Sequence, residues 1–401
     1  MPDPRPVTVL CIASYEKGQD FLRTCKELGC RVLLLTLEKF RDGSWPREAV
    51  DEFFYMPEEL PVQAIINTVS YLARWQPIDR IVALDEFDLE NAAALREHLR
   101  LPGMGLTTIR YFRDKLAMRG RAKEAGVPVP EFIHVLNHAA LNEFMERVPP
   151  PWLLKPRSQA SGIGMKKLRS PHELWPILER LGDDQSSYLL EQFVPGDVFH
   201  IDGVVSEREA VFAEAHAYGA PPLDTSHEGG IFTTRTLPRD SEETTKLRAL
   251  NAELVQAMGL VRGVTHAEFL RSHADGKFYF IEIAARVGGA YIADVVQAAS
   301  GINLWREWAR LEIGAGRTPY ALPAARKDYA GVVLSLARQE KPDTSAYDDL
   351  EIVLRIQKKY HAGFVFRSPD PERIAALLDA YAQRFRHDFF ATAPVPDKPT
   401  S

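Results

Sequence analysis

The sequence predicts a mixed α/β and α+β chain, with a parallel-sheet domain first and antiparallel sheets after it. Three observations carry that prediction. Residues 7–105 alternate unbroken apolar strands with helices, the pattern of a parallel sheet covered on both faces. Tyr188 to Ala217 reads as three strands almost back to back, and Thr265 to Ile283 as two more joined at Asp275-Gly276, which are antiparallel signals. Leu101-Pro102-Gly103-Met104-Gly105 and Pro149-Pro150-Pro151 punctuate the chain between these regimes. Four segments follow: 1–105, 106–195, 196–320 and a small α+β extension at 321–401.

In the first segment, Val7 to Ala13, Arg31 to Leu37 and Arg80 to Leu84 are continuous apolar strands. Gly18 to Leu28, Val62 to Arg74 and Leu89 to Leu99 are the helices between and after them. The turn Ser14-Tyr15-Glu16-Lys17-Gly18 is not GxGxxG, so a nicotinamide or flavin site is poorly supported. A basic helix is expected over Thr107 to Gly126, stopped by Gly126 and Pro128. Trp152 to Lys155 is a strand, and Tyr218 to Gly230 a polar loop. Asp240 with Glu243 reads as a capping box for a helix that ends near Gly259. Val332 to Ala337, Gly363 to Phe366 and the helix Pro371 to Phe385 complete the order, and Pro394 to Ser401 reads as a frayed tail.

The chain of 401 residues is long for one core, so two or three domains are expected. A net charge of −6 leaves no basic excess to neutralise a phosphate backbone, which argues against a general nucleic-acid binder. Cys11, Cys25 and Cys30 are odd in number and form no CxxC, which excludes the usual disulfide and zinc patterns. Met1 to Pro6 leads straight into a strand and no apolar run reaches membrane length, so the default expectation is a cytoplasmic protein with no membrane partner. A homodimer is the base-rate expectation.

The chemistry concentrates on the hairpin 265–283. A two-residue turn sets Glu268 opposite Ile283 and sends Glu282 to the other face. A three-residue turn, Ala274-Asp275-Gly276 with Gly276 left-handed, sets Glu268 opposite Glu282 with both carboxylates on one face. Two such carboxylates repel across the pair, and a divalent metal between them relieves that best. Lys155 ends an apolar strand before a loop holding Gly162 and Gly164, then Lys166-Lys167. Such a loop can present amides to phosphate, although alone it reads as an ordinary hairpin. Glu191-Gln192-Phe193-Val194 can bind the amino edge of a purine or be a plain strand end. Arg286, four residues after Glu282, can stabilise a transferred phosphoryl group or simply pair with Glu282. His266 shares the period-two face of Glu268 and is given no role. The stretch with His227, Glu228, Gly229, Gly230 and Arg235 reads as a lid or a variable surface loop.

Taken in order, Lys115, Lys155 with its glycine loop, Glu191-Gln192-Phe193-Val194, Glu268 and Glu282-Ile283-Ala284-Ala285-Arg286 resemble the ATP-grasp superfamily. The resemblance runs from about Val7 to Gly314. Arg80 to Glu86, Pro195 to Gly203 and Arg286-Val287-Gly288-Gly289 look most like amino-acid ligase members. It implies a Rossmann-like domain, then an ATP-grasp fold whose two subdomains clamp ATP. It implies Lys115 and Lys155 at the α- and β-phosphates, and the Gly162/Gly164 loop over the triphosphate. Glu191, Phe193 and Val194 would hold adenine. Glu268 and Glu282 would ligate Mg²⁺, or Mn²⁺ in its place, and Arg286 would face the transferred phosphoryl group. Two positions depart from the family: Ala284 stands where many members have an Asn metal ligand, and Val198 where many have the ribose Glu, leaving Asp197 as its substitute.

The activity implied is an ATP-dependent carboxylate–amine ligase that forms an amide or peptide bond through an acyl phosphate. Its partners are a small-molecule carboxylate and an amine, with Arg235, Arg286 and Glu86 as candidate substrate residues. A bicarbonate-activating enzyme of the biotin-carboxylase kind and a non-catalytic ATP-binding regulatory protein are the alternatives.

Overall fold

The computed structural model describes residues 5–58, 61–160, 162–221, 230–315 and 318–392. The first unit comprises β1 (Thr8–Ala13), α1 (Gln19–Glu27), β2 (Arg31–Leu37), β3 (Glu52–Met56), α2 (Val62–Leu72), β4 (Arg80–Ala83) and α3 (Leu89–Leu99). Its four parallel strands run in the order β3-β2-β1-β4. The unbroken apolar runs follow from burial on both sides. Val9, Cys11, Val32 and Leu34 enter one core, while Leu10, Ile12, Leu33 and Leu35 enter the other. The aromatic edge strand β3 lies outside the predicted elements.

Val204, Val264 and Trp308, from the far end of the chain, belong to the first of those cores. Phe21 meets Trp308 edge-on at 5.2 Å. The first sheet is therefore docked on the third, and the turn after β4, which carries Asp85 and Glu86, reaches the centre of the molecule.

The single basic helix expected over 107–126 is broken in two. α4 (Leu106–Ile109) and a short turn at 110–112 precede α5 (Lys115–Glu124). Asp114 causes the break: its carboxylate accepts from the amides of Leu116 and Ala117 at 3.0 and 3.4 Å, as an N-cap. Lys115 thereby opens a helix instead of standing inside one.

The second sheet is built from β5 (Phe132–His134), α6 (His138–Arg147), β6 (Trp152–Pro156), β7 (Lys166–Leu168), α7 (Pro171–Leu181) and β8 (Tyr188–Gln192). It is antiparallel in the order β5-β8-β6-β7. The third contains β9 (Gly196–Ser206), β10 (Glu209–Tyr218), β11 (Phe232–Thr236), α8 (Glu242–Met258), β12 (Gly263–Ser272), β13 (Phe278–Ala284), α9 (Ile292–Ser300), α10 (Leu304–Gly314), β14 (Tyr329–Leu336), β15 (Ile352–Lys358), β16 (His361–Ser368) and α11 (Pro371–Asp388). Its eight strands run β13-β12-β9-β10-β11-β14-β16-β15. The C-terminal strands continue this sheet through the antiparallel β11–β14 pair; among the described residues they form no sheet of their own. Ser241, not Asp240, caps α8, accepting from the Thr244 amide at 3.1 Å. Among the described residues no helix is long and apolar enough to cross a membrane.

Candidate active site

The pairing of Glu268 with Glu282 is present but arises differently from the turn predicted for it. The Ser272 amide donates to the Lys277 carbonyl at 2.9 Å, closing a four-residue loop in which Gly276 has φ 69°. Continued along the hairpin, that register would set Glu268 opposite Ile281. A β-bulge next to Glu268 takes up Ile281 as the extra residue and restores Glu268 to Glu282. The bulge has partners of its own: the Ile281 carbonyl accepts from the Arg119 guanidinium, and the Phe280 amide donates to Pro128.

The two glutamates face a cavity of about 420 Å³ between the second and third sheets. It is lined by the apolar residues Leu153, Met165, Phe193, Val198, Leu270 and Ile281 and by the charged or titratable Lys115, Lys155, Glu191, His266, Glu268, Glu282 and Arg286. A cavity with both an apolar lining and fixed charges suits a flat heterocycle with an anionic tail.

On the second-sheet wall, Lys155 pairs with Glu191 at 2.5 Å, and Arg119 pairs with the other Glu191 oxygen at 2.6 Å. Burial alone would raise the Glu191 carboxyl, but Arg119 and Lys155 outweigh it and hold it below its usual range. Burial pulls the Lys155 ammonium below its usual value in spite of Glu191. The Glu191 side chain is thus engaged with two cations, a different task from the adenine contact expected of it. Lys115 donates to the Gln159 carbonyl at 2.6 Å and pairs with Glu282 at 3.0 Å. Gly162 and Gly164 both have positive φ, 73° and 72°, in the β6–β7 loop. Lys167 lies 3.5 Å over the Phe193 ring.

On the third-sheet wall, Glu268 accepts from the Tyr218 hydroxyl at 2.8 Å and faces His266 at 3.5 Å. His266 is bonded at 2.9 Å to Asp202, whose second oxygen holds His200 at 2.6 Å. Burial would lower the His266 imidazole, but Asp202 and Glu268 outweigh it and raise it to about 10. Arg286 turns to Glu86 (3.0 and 2.6 Å), not to Glu282. Arg113 holds the other Glu86 oxygen at 2.9 Å. Burial would raise Glu86, yet Arg286 and Arg113 hold it at about 2. With both oxygens engaged, Glu86 is an anchor for Arg286 and not an open substrate site.

Two candidates fall outside the cavity. Asp197 lies between the lining residues Gly196 and Val198, so the strand alternation turns it away. It meets Arg271 and His273 at 2.9 and 3.1 Å on the surface. Arg235 belongs to β11 and not to a loop. It alternates with Thr234, which bonds His200 at 2.7 Å, and so faces the opposite side from the cavity-lining Phe232. His227, Glu228 and Gly229 of the expected lid lie outside the described residues, as does the tail 394–401.

The sequence pattern gives Arg119, His200 and Asp202 no role at the site, and Tyr218 only a place at the start of a polar loop. Arg119 stands four residues after Lys115, one helical turn along the same face. His200 and Asp202 are alternate polar residues on an otherwise apolar strand, opposite Glu268 and His266 respectively.

Residues 120–292 match the ATP-grasp domain family. The L-arginine-specific L-amino acid ligase of Bacillus subtilis is 26% identical over 251 residues, 61% of this chain and 59% of that protein. The D-alanine–D-alanine ligase of Pseudomonas fluorescens is 26% identical over 207 residues, 50% of this chain and 62% of that protein. The chain thus spans about three-fifths of the length of these curated relatives. The crystal structure of an L-amino acid ligase from Bacillus licheniformis superposes with a TM-score of 0.76 at 18% identity, covering 97% of this chain and 100% of that one.

Proposed function

We propose that this chain is an ATP-dependent carboxylate–amine ligase acting on amino-acid-like substrates, a reading supported by the match of residues 120–292 to the ATP-grasp domain family. The observation that carries the reading is the opposition of two walls. Glu268 and Glu282 share one face of the third sheet, and the lysines Lys115 and Lys155 border the same cavity. The donor set fits a divalent ion, because two carboxylates at directly opposed strand positions offer oxygens of the kind that Mg²⁺ and Mn²⁺ take.

In this reading the apolar lining takes adenine, read by the backbone at Phe193–Val194, with Glu191 holding Lys155 in place. Lys155 and Lys115 meet the phosphates under the Gly162/Gly164 loop. Glu268 and Glu282 would hold a divalent ion, which would supply positive charge to the phosphates, and Lys115, now paired with Glu282, would then turn to them. A substrate carboxylate oxygen attacks the γ-phosphorus and the bond to the β–γ bridging oxygen breaks, giving an acyl phosphate and ADP. The amine nitrogen then attacks the acyl carbon, phosphate leaves, and the nitrogen loses a proton to yield the amide. Arg286, fixed by Glu86, supplies positive charge where the phosphoryl group transfers. The protein's contribution is positioning and electrostatics.

The test is phosphate release from ATP, screened over amino acids singly and in pairs, with amide formation followed by mass spectrometry. The reading expects at least one pair to give ADP, phosphate and a dipeptide in equal amounts. ADP formation that requires bicarbonate and yields no amide would overturn it.

A further inference from the structure

We propose that His266 is a third protein ligand of the divalent-metal site, binding through Nε2 beside Glu268 and Glu282, with Asp202 as its positioning residue. The inference deepens the metal assignment made above and rests on it. Its consequence is a site with one nitrogen donor, which favours Mn²⁺ over Mg²⁺ because imidazole suits the softer ion.

The strand register supplies the first argument. His266 lies directly opposite Ala284, and Glu268 directly opposite Glu282, so the four positions form a rectangle on one face of the sheet. Ala284 offers only a methyl group, and the fourth corner is filled by the imidazole. His266 lines the same cavity as both glutamates.

The second argument is the orientation of the ring. Nδ1–H of His266 donates to Asp202 at 2.9 Å. Asp202 is itself fixed, since its other oxygen bonds His200 Nδ1 at 2.6 Å and His200 Nε2 bonds Thr234 at 2.7 Å. The chain closes tightly over this pair at Gly288, where a Cβ would come within 2.9 Å of Asp202 Oδ1 and 3.0 Å of His266 Nδ1. With Nδ1–H held by Asp202, Nε2 is the ring nitrogen turned to Glu268, where a bound ion would take the place of the proton that the protonated ring carries there. A carboxylate that orients imidazole in this way is the usual support of a metal-bound histidine.

Distance is the third. Nε2 lies 3.5 Å from Glu268 Oε1. Two donors that share one ion at about 2.1 Å each are separated by about 3 Å at right angles and about 4 Å across it. His200, Asp202 and His266 also lie close enough together to hold an ion. Both Asp202 oxygens are already hydrogen-bonded to imidazoles, however, so the His266 atom left for an ion is Nε2, on the Glu268 side.

The experiment is electron spin-echo spectroscopy of Mn²⁺ bound to the full chain with ADP, comparing unlabelled protein with protein carrying ¹⁵N-histidine. The label separates a histidine nitrogen from those of adenine, and the wild-type chain suffices for the decisive comparison. The expected result is coupling from a directly bound nitrogen that changes isotope signature with the label and vanishes in His266→Asn. Asp202→Asn should keep the coupling while loosening Mn²⁺ about 10–100-fold; unchanged affinity would remove Asp202 from the account. If Mn²⁺ binds, depends on Glu282 as judged by Glu282→Gln, and shows no histidine coupling, the inference is wrong while the glutamate assignment stands. If Glu282→Gln leaves Mn²⁺ binding untouched, both are wrong.

Discussion

Two carboxylates in this molecule are each gripped by two cations, and the two grips do different work. Glu191 is held by Arg119 and Lys155, and Glu86 by Arg113 and Arg286. The Glu191 group is closed off: its three side chains are 0–5% exposed, and Lys155 and Glu191 both line the second-sheet wall of the cavity. The Glu86 group spans the molecule. Glu86 follows β4 of the first sheet, Arg286 follows β13 of the third, and Arg286 remains 16% exposed on the cavity side. The first cluster therefore fixes a lysine within one wall. The second ties the position of an arginine to the docking of the N-terminal domain, so that the third-sheet wall and the first sheet share one ion network.

The comparison is broken most severely at Arg119. Replacing it with Met leaves buried Glu191 with only one of its two cations, and removing one member of a buried ion pair typically costs about 3–5 kcal/mol. Urea denaturation of Arg119→Met measures this, and a loss below about 1 kcal/mol would mean that Lys155 alone suffices.

The Glu86 cluster has a signature in acid. Its folded value of about 2 lies below the ordinary 4.5, so its stabilisation is fully present above pH 4.5 and is lost as pH falls towards 2. Those two and a half units correspond to about 3 kcal/mol at most. Stability measured by urea titration at pH 6 and pH 3 should show a smaller acid loss in Glu86→Gln than in the wild type. Equal losses would mean that Glu86 carries no such linkage.

The smallest effect belongs to Asp197. As an exposed partner of Arg271 and His273 it should contribute about 0.5 kcal/mol or less. Asp197→Ala should leave ATP affinity unchanged by calorimetry, whereas a tenfold loss would return it to the ribose.

How much of this was legible in the sequence follows from which contacts are local. The apolar runs of β1, β2 and β4 declared a doubly covered sheet, because burial on both faces leaves no polar alternation to misread. Glu268 and Glu282 were recognisable as a facing pair, but the cause was not. A four-residue loop and a bulge at Ile281 give the same parity as a three-residue turn, and the bulge depends on Arg119 and Pro128 from distant elements. Arg235 was misplaced because β11 is short and follows a polar loop, and with the strand unread its facing was unread too. Asp197 was assigned by position along the chain, while the alternation of β9 sends it outward. Arg119, His200 and Asp202 gain their meaning only when β9 lies beside β12 and α5 packs against β13, contacts that no local pattern specifies.

The central claim is that the cavity between the second and third sheets is a nucleotide–metal site whose third-sheet wall is Glu268 and Glu282. Calorimetric titration of ATP into the wild-type chain and into Glu268→Gln/Glu282→Gln, each with and without Mn²⁺, tests it most directly. The account predicts tight binding only for the wild type with the metal, and a loss of at least tenfold when either the metal or the glutamate pair is removed. Equal ATP affinity in all four titrations would contradict it.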